Sequence, residues 1–206
     1  KIVTIIKLLF LSILLGCNSN TVIDNSITSA ITEDRDSLDN KEEFKDNLER
    51  ISNVDKVSLG MTIFELKEVY KTAKFIEEPV FLYGVDGESN GLLVVDNNER
   101  LFFVWTLLGD NRIKGITILS PSIVIDSDIS VGITLTEFLK KYPDCKLTID
   151  LLDEGIEFCY IKEKNYSVEF LTEPENRVGE YNLESSEAEL IKIRRPEAKI
   201  DRISIH

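Results

Sequence analysis

The side chains of this sequence that could do chemistry are mainly carboxylates. In the part of the chain that we expect to fold, the densest acidic groups are Asp126-Ser127-Asp128 and Asp150 with Asp153-Glu154. Paired acids of this kind could hydrolyse glycosides or bind calcium. No calcium-loop spacing centred on a glycine accompanies them, so solvated turns between strands are the favoured interpretation.

Other catalytic and metal-binding residue types are scarce. The one histidine, His206, stands at the last position, and Ser-His-Asp catalysis would depend on a terminal residue that is expected to fray. No His-x-x-x-His or Cys-x-x-Cys spacing is available for a transition metal. We also expect no nucleophile elbow and no phosphate-binding glycine loop. The sequence therefore predicts no catalytic residues, no metal and no cofactor.

The first residues have the pattern of an export signal. Lys1 and Lys7 accompany an apolar run that is too short to span a bilayer, which takes about 20 apolar residues. Leu14-Leu15-Gly16-Cys17 resembles the lipobox of bacterial lipoproteins. The resemblance implies that 1–16 are removed and that Cys17 carries the lipid, with the outer membrane as the expected location. An uncleaved membrane helix, or an apolar core helix with a chance cysteine, is the alternative.

The charge of the chain excludes some partners. The sequence has 37 acidic and 24 basic side chains, a net charge of −13. Such a field repels phosphates, and no stripe of arginine and aromatic residues offsets it, so nucleic-acid binding is disfavoured. Adsorption to anionic headgroups is disfavoured for the same reason. We therefore expect the membrane link to be the lipid at Cys17.

Composition divides the rest of the chain. Residues 17–53 are polar and carry few large apolar side chains, which is typical of a tether that cannot offset its ordering entropy. Within it, 37–51 has apolar residues at roughly helical spacing and predicts a possible short helix. The remainder is long enough to bury a core. We assign it to two modules, at 54–125 and 126–206.

An internal repeat supports the two modules. Residues 57–70 match 129–142, with identities at five positions: Ser58 and Ser130, Gly60 and Gly132, Thr62 and Thr134, Glu65 and Glu137, Tyr70 and Tyr142. This pattern indicates duplication. Each Thr-x-x-Glu is a capping box and predicts a helix start. Strand-like runs follow at 80–85, 91–96, 101–108 and 113–119, and again at 146–152, 155–162, 166–172 and 199–205, with 173–196 as a long loop.

Each copy of the repeat combines a helix that begins with Ser-x-Gly-x-Thr-x-x-Glu and an antiparallel meander that follows it. This arrangement, present twice, resembles the tandem domain of β-lactamase-inhibitor-like proteins. One copy resembles the single domain of BamE/SmpA-type lipoproteins. The resemblance implies an α+β fold of two repeated modules, each a helix plus an antiparallel β-meander, with the sheets side by side. Family members of known role bind proteins and are not catalysts.

The expected function is therefore that of a lipid-anchored cell-envelope binding module, non-catalytic and protein-binding. Two alternatives stay open. One is a lipid-anchored envelope hydrolase that uses paired carboxylates, and the other is a structural envelope spacer.

The run 101–108, LFFVWTLL, is apolar on both faces of its expected strand. A half-solvated strand should alternate with polar residues. We take Leu101, Phe103, Trp105 and Leu107 as the candidate partner-binding face, since exposed aromatic side chains are typical of such surfaces. Core packing, or packing between the modules, is the alternative, and the set of Phe102 and Val104 could face outward instead.

Two cysteines, Cys145 and Cys159, lie in the second module. A two-residue Asp153-Glu154 turn would place position 159 opposite 148, and position 145 opposite 162. That register puts the two cysteines on opposite faces of the hairpin. We therefore expect two free thiols, with a disulfide as the alternative because an exported protein meets an oxidising compartment.

The substitution Cys17→Ser tests the anchor. We expect the variant to stay unprocessed or to leave the membrane, because it has no thiol to acylate. Fractionation and the mass of the mature protein measure this outcome. The same substitution at Cys145 is the matched control and should leave processing intact. A Cys17→Ser protein that is still mature and membrane-bound would refute the lipobox interpretation.

Overall fold

The structure is a computed structural model that describes residues 53–183 and 188–206. Its strands are β1 (Asn53–Val54), β2 (Val57–Ser58), β3 (Lys74–Pro79), β4 (Asn90–Asp96), β5 (Glu99–Thr106), β6 (Ile113–Ile118), β7 (Leu147–Ile149), β8 (Ile156–Ile161), β9 (Tyr166–Leu171), β10 (Gly179–Asn182), β11 (Glu189–Ile193) and β12 (Arg202–Ile205). Its helices are α1 (Ile63–Val69) and α2 (Leu135–Lys141), with 3₁₀ helices at Val80–Tyr83 and Pro174–Asn176. The predicted signal 1–16, Cys17 and the possible helix at 37–51 lie outside the described residues.

Capping boxes start both α-helices, which confirms the helix starts predicted from the repeat. The Thr62 hydroxyl accepts a hydrogen bond from the Glu65 amide at 3.2 Å, and the Thr62 amide donates to the Glu65 carboxylate at 2.8 Å. Thr134 and Glu137 make the same two bonds at the same distances. Each box satisfies backbone amides that the first helical turn leaves without partners. Each helix nevertheless spans only seven residues.

The main sheet of the described chain is antiparallel and has eight strands in the order β3-β4-β5-β6-β12-β9-β8-β7. Its middle is the pairing of β6 with β12, in which Ile118, Thr117 and Ile116 oppose Ile203, Ser204 and Ile205. The other edge of β12 pairs with β9. The last strand of the chain therefore lies between the two halves and joins them into one sheet.

The predicted fold class, an α+β fold of two helix-plus-meander modules with sheets side by side, is wrong. The described residues are mostly β, with one continuous eight-stranded sheet, two short α-helices and two small two-stranded sheets. The cause is β12, whose backbone hydrogen bonds run to both neighbours and leave no seam between modules. The segment 173–196, predicted as a loop, also contributes the paired strands β10 and β11.

The helices cover one face of the sheet, which we call the helix face. Leu66 of α1 and Phe138 of α2 are completely buried there. They belong to one core cluster with the following sheet residues: Val94, Phe102, Val104, Ile116, Ile118, Cys159, Ile161, Tyr166, Val168, Phe170, Ile203 and Ile205. Because side chains alternate along a strand, the residues between these point to the opposite, open face.

A buried carboxylate fixes the small sheet of β10 and β11 beside the helix face. Glu157 of β8 is completely buried. Its oxygens accept hydrogen bonds from the amides of Val178 and Gly179 at 2.6 and 2.7 Å, and from the hydroxyls of Tyr181 and Thr172 at 2.7 and 2.9 Å. A buried charge is tolerated when donors satisfy it in this way. Glu157 therefore ties β10 to β8.

The β7–β8 hairpin has a register one residue away from the predicted one. Cys159 opposes Leu147, not position 148. The Asp150 amide donates to the Ile156 carbonyl at 2.9 Å, which closes a longer turn than the two-residue Asp153-Glu154 turn that we expected. A shift of one residue moves a side chain to the other face. Cys145 and Cys159 consequently fall on the same face, and both are free thiols.

Removing the capping hydroxyls tests the two helix starts. Thr62→Ala and Thr134→Ala should each lower the free energy of unfolding by about 1 kcal/mol. Denaturant unfolding of the full chain measures the change. Thr62→Ser, which keeps the acceptor oxygen, should cost much less. If neither alanine variant moves the unfolding midpoint, the caps do not stabilise these helices.

Candidate binding groove on the open face

The open face carries a buried arginine at the junction of the two halves. Arg202 of β12 is only 3% exposed. Its Nε donates to the Glu169 carboxylate on β9, and its Nη1 donates to the Leu82 carbonyl at 3.0 Å. Leu82 belongs to the 3₁₀ helix Val80–Tyr83, which we call the covering turn. One side chain therefore connects the covering turn, β12 and β9.

The third nitrogen of this guanidinium is buried next to a groove that Arg202 lines. Nη2 of Arg202 finds no hydrogen-bond partner among the described residues. Arg202, Gly84 and Ile156 line both of two adjoining cavities, with volumes of about 310 and 190 Å³. Gly84 has a φ of 73°, and a Cβ there would stand 2.9 Å from Nη2. The glycine therefore leaves room for the guanidinium to lie close to the backbone at position 84. We call the two cavities together the Arg202 groove.

The rim of the groove combines apolar and acidic side chains. Phe81, Leu82 and Leu171 line the larger cavity and are each more than half exposed. Asp153 and Glu173 also line the larger cavity. Glu169 already neutralises the charge of Arg202. An anionic ligand would therefore find no uncompensated positive charge in the groove, and the carboxylates of the rim would repel it. The groove therefore suits a neutral oxygen acceptor attached to apolar groups.

A second network holds the covering turn over the first half of the sheet. The Tyr83 ring stacks on Phe103 with centroids 3.7 Å apart. The Tyr83 hydroxyl donates to Glu78 and accepts from Arg100 Nη2 at 2.6 Å. Burial, assisted by the Glu78 hydrogen bond, raises the pKa of Tyr83 to about 12, so this hydroxyl stays protonated. The covering turn is thus fastened on both sides, which pre-forms the groove.

The structure does not bring the four candidate partner-binding residues together. Phe103 is 0% exposed beneath Tyr83, and Trp105 packs beside it, half-buried. A β-bulge opposite Val94 and Val95 turns Leu101 toward the helix-face core. Leu107 lies beyond the end of β5 and is 55% exposed. Partner binding through these residues stays a prediction, and only Leu107 offers most of its side chain.

The candidate carboxylates take up turn and ion-pair positions. Asp126 forms ion pairs with Lys141 and Lys164 at 3.7 and 3.5 Å. Asp150 accepts from the amide of Leu152 at 2.8 Å, and Asp153 from the Gly155 amide at 3.1 Å. These bonds explain why acidic residues stand at these turns. Hydrolysis by any of these residues stays untested.

The chain contains a motif with the spacing of a nucleophile elbow, which the sequence-based prediction overlooked. Gly87-Glu88-Ser89-Asn90-Gly91 matches the Gly-x-Ser-x-Gly spacing. A nucleophile elbow needs this spacing between a strand and a following helix. Here it lies between the covering turn and β4, and the Ser89 carbonyl accepts from the Val80 amide at 3.0 Å. The motif therefore serves the entry into a strand.

The described residues contain neither a metal-binding cluster nor a helix that could span a membrane. Across 53–183 and 188–206, no cluster of three or more His, Cys, Asp or Glu side chains could hold a metal ion. Within the same ranges, neither α-helix has the length and apolar character needed to cross a membrane.

The fold and the groove define a mostly β protein with a continuous antiparallel sheet and a cavity over its open face. No protein-family model matches the chain, and no curated protein matches it. The chain is similar to the crystal structure of the uncharacterized protein YfeY from Escherichia coli, at 12% identity and a TM-score of 0.46. That match covers 77% of this chain and 97% of YfeY. A likeness at this level carries no argument about function.

The sequence did contain a signal for the groove. Glu169 alternates with the apolar residues of β9, and Arg202 alternates with the isoleucines of β12. Opposite charges at alternating positions of two strands are typical of a cross-strand pair. Pairing of β9 with β12 could not be inferred, because the 30 residues 172–201, which include β10 and β11, lie between the two strands.

Trp105 and Gly115 generate a stability test. They oppose each other on β5 and β6, and a methyl group at position 115 would clash with the indole. Trp105→Ala should lower the free energy of unfolding by about 3 kcal/mol, as expected for a packed aromatic residue. Gly115→Ala should destabilise the wild type and cost at least about 1 kcal/mol less when Trp105 is alanine.

Leu107→Ala is the control for this double-mutant cycle of Trp105 and Gly115. It should change the free energy of unfolding by roughly 0.5 kcal/mol or less. If Trp105→Ala lowers the free energy of unfolding as little as Leu107→Ala does, Trp105 would again be a candidate partner-binding residue. Additive effects of Trp105→Ala and Gly115→Ala would show that the two residues are not in contact.

Proposed function

We propose that the protein is a lipid-anchored, non-catalytic cell-envelope module whose Arg202 groove binds an extended apolar segment of a protein partner. The observation that carries the proposal is that Arg202 lines the groove while its buried Nη2 has no hydrogen-bond partner among the described residues. A buried donor without an acceptor costs about 1–3 kcal/mol. An acceptor from a ligand would recover part of that free energy.

The chemistry of the groove favours a peptide over other ligands. A peptide carbonyl is a neutral acceptor, as the Arg202–Glu169 pair requires. The apolar side chains of the same segment would contact Phe81, Leu82 and Leu171, which line the larger cavity. Burying such side chains stabilises a complex by roughly 25 cal/mol per Å². The acidic chain favours a partner that is basic around the bound segment.

The anchor and the groove have separate roles in this proposal. Acylation at Cys17 would hold the protein at the membrane, since two or more acyl chains give stable attachment. The tether would let the folded part reach a partner within the envelope. The negative charge keeps the protein surface itself away from anionic headgroups. Outer-membrane attachment is the location that the lipobox resemblance favours.

Site-specific photo-cross-linking in the native envelope tests this function. A photoreactive residue in place of Leu82 should give a discrete adduct with one protein, because Leu82 borders the groove. The same residue in place of Leu108, which is 98% exposed on the β5–β6 turn, is the control. Equal adducts from both positions, or none from position 82, would contradict the proposal.

Two glycine variants show whether the cross-linked adduct depends on the space beside Arg202. Gly84→Ala places a methyl group against Arg202 Nη2 and should abolish the adduct. Gly87 also has a positive φ, of 138°, but a methyl group there would meet its nearest neighbour only at 3.8 Å, so the adduct should persist in Gly87→Ala. Loss of the adduct in both variants would indicate general damage to the covering turn instead of a blocked groove.

A further inference from the structure

Two thiols meet at the outer end of the main sheet. Cys159 of β8 is completely buried in the helix-face core. Cys145 precedes β7 by two residues, lies on the same face and packs against that core. The Cys145 Sγ lies 3.7 Å from the carbonyl of Tyr160, the residue after Cys159 in β8, and each thiol shifts the pKa of the other. They are therefore neighbours in space although both are reduced.

Only one of the two thiols has access from solvent. Cys145 lines a cavity of about 510 Å³, which shares Phe158 and Tyr160 with the smaller cavity of the Arg202 groove but not Arg202 itself. Tyr142, Pro143, Phe158 and Tyr160 contribute to the walls of this cavity. Cys159 is not part of the lining and lies behind Cys145. A reagent that enters the cavity therefore meets Cys145 first.

The two thiols also differ in the direction of their pKa shifts. The hydrogen bond from Cys159 lowers the pKa of Cys145, although burial and the Glu163 carboxylate oppose the shift. The same interaction, together with burial, raises the pKa of Cys159. The charged groups that line the cavity are Lys141, Asp144, Lys146, Lys162 and Glu163. Cys145 is the better nucleophile, since the thiolate is the reactive form.

We propose that Cys145 and Cys159 form a redox-active dithiol that reduces small-molecule disulfides entering the cavity beside Cys145. The Cys145 thiolate attacks one sulfur of the small disulfide, which forms a mixed disulfide and expels the first thiolate. Cys159 then loses its proton and attacks the Cys145 sulfur, which closes the intramolecular disulfide and expels the second thiolate. The protein dithiol is oxidised by two electrons, and the small disulfide is reduced to two thiols.

The arrangement explains why both cysteines are needed. Cys145 alone would stop at the mixed disulfide. Cys159 alone is buried and holds its proton. Cys145 lies outside the β7 ladder, so its backbone can adjust to the short separation that a disulfide requires. This inference does not depend on the proposed partner groove.

Reaction of the full chain with oxidised glutathione tests the proposal. The chain should carry Cys17→Ser, so that only the two thiols of interest remain. Mass spectrometry should find the parent protein two hydrogen atoms lighter, without bound glutathione. Cys159→Ala should stop as a single glutathione adduct at Cys145. Cys145→Ser should react at least about tenfold more slowly than the parent.

The pH profile of Cys145 alkylation by iodoacetamide separates this role from simple packing. The inflexion should lie at lower pH in the parent than in Cys159→Ala, because the Cys159 hydrogen bond stabilises the thiolate. Unfolding midpoints show whether each variant is folded, and Cys159→Ser is the second variant if the alanine form is not. A parent that keeps two free thiols, a Cys145→Ser variant that reacts as fast as the parent, or identical inflexions would overturn the proposal.

Discussion

The pairing of the final strand β12 with both β6 and β9 is the interaction on which the rest of the structure depends. Without it, β6 and β9 would be edge strands, and their apolar helix-face residues would lose neighbours on one side. An exposed apolar edge invites pairing with other chains. With β12 in place, the helix-face core runs without interruption beneath both α-helices. The fold thus closes only when β12 takes its place between β6 and β9.

The same strand also creates the open-face groove. Ile203 and Ile205 of β12 serve the core, whereas Arg202 and Ser204 lie on the opposite face. Arg202 then holds the covering turn, which comes from the first half of the chain, over strands of the second half. One strand therefore supplies both the continuity of the sheet and the polar centre of the groove. This coupling makes the groove a property of the whole sheet and not of either half.

Local sequence signals predicted local structure well. The Thr62 and Thr134 capping boxes act within four residues, so their chemistry is visible in the sequence. The single sheet was missed because it depends on a distant pairing, that of β6 with β12. The shared face of Cys145 and Cys159 was missed for a local reason, because the turn closed by Asp150 and Ile156 is longer than the two-residue turn that the sequence suggested. Leu101 likewise lies on the helix face and not on the predicted face, because of a β-bulge in the pairing of β4 with β5.

Native-state hydrogen exchange along β6 and β12 tests the central claim, that the two halves form one sheet, most directly. The account predicts that paired amides of these two strands exchange only through global unfolding, with the same opening free energy as the amides between β8 and β9. Exchange of the β6–β12 amides through a lower-energy opening, with both flanking halves still protected, would contradict it. That result would mean two separable units joined at a weak seam.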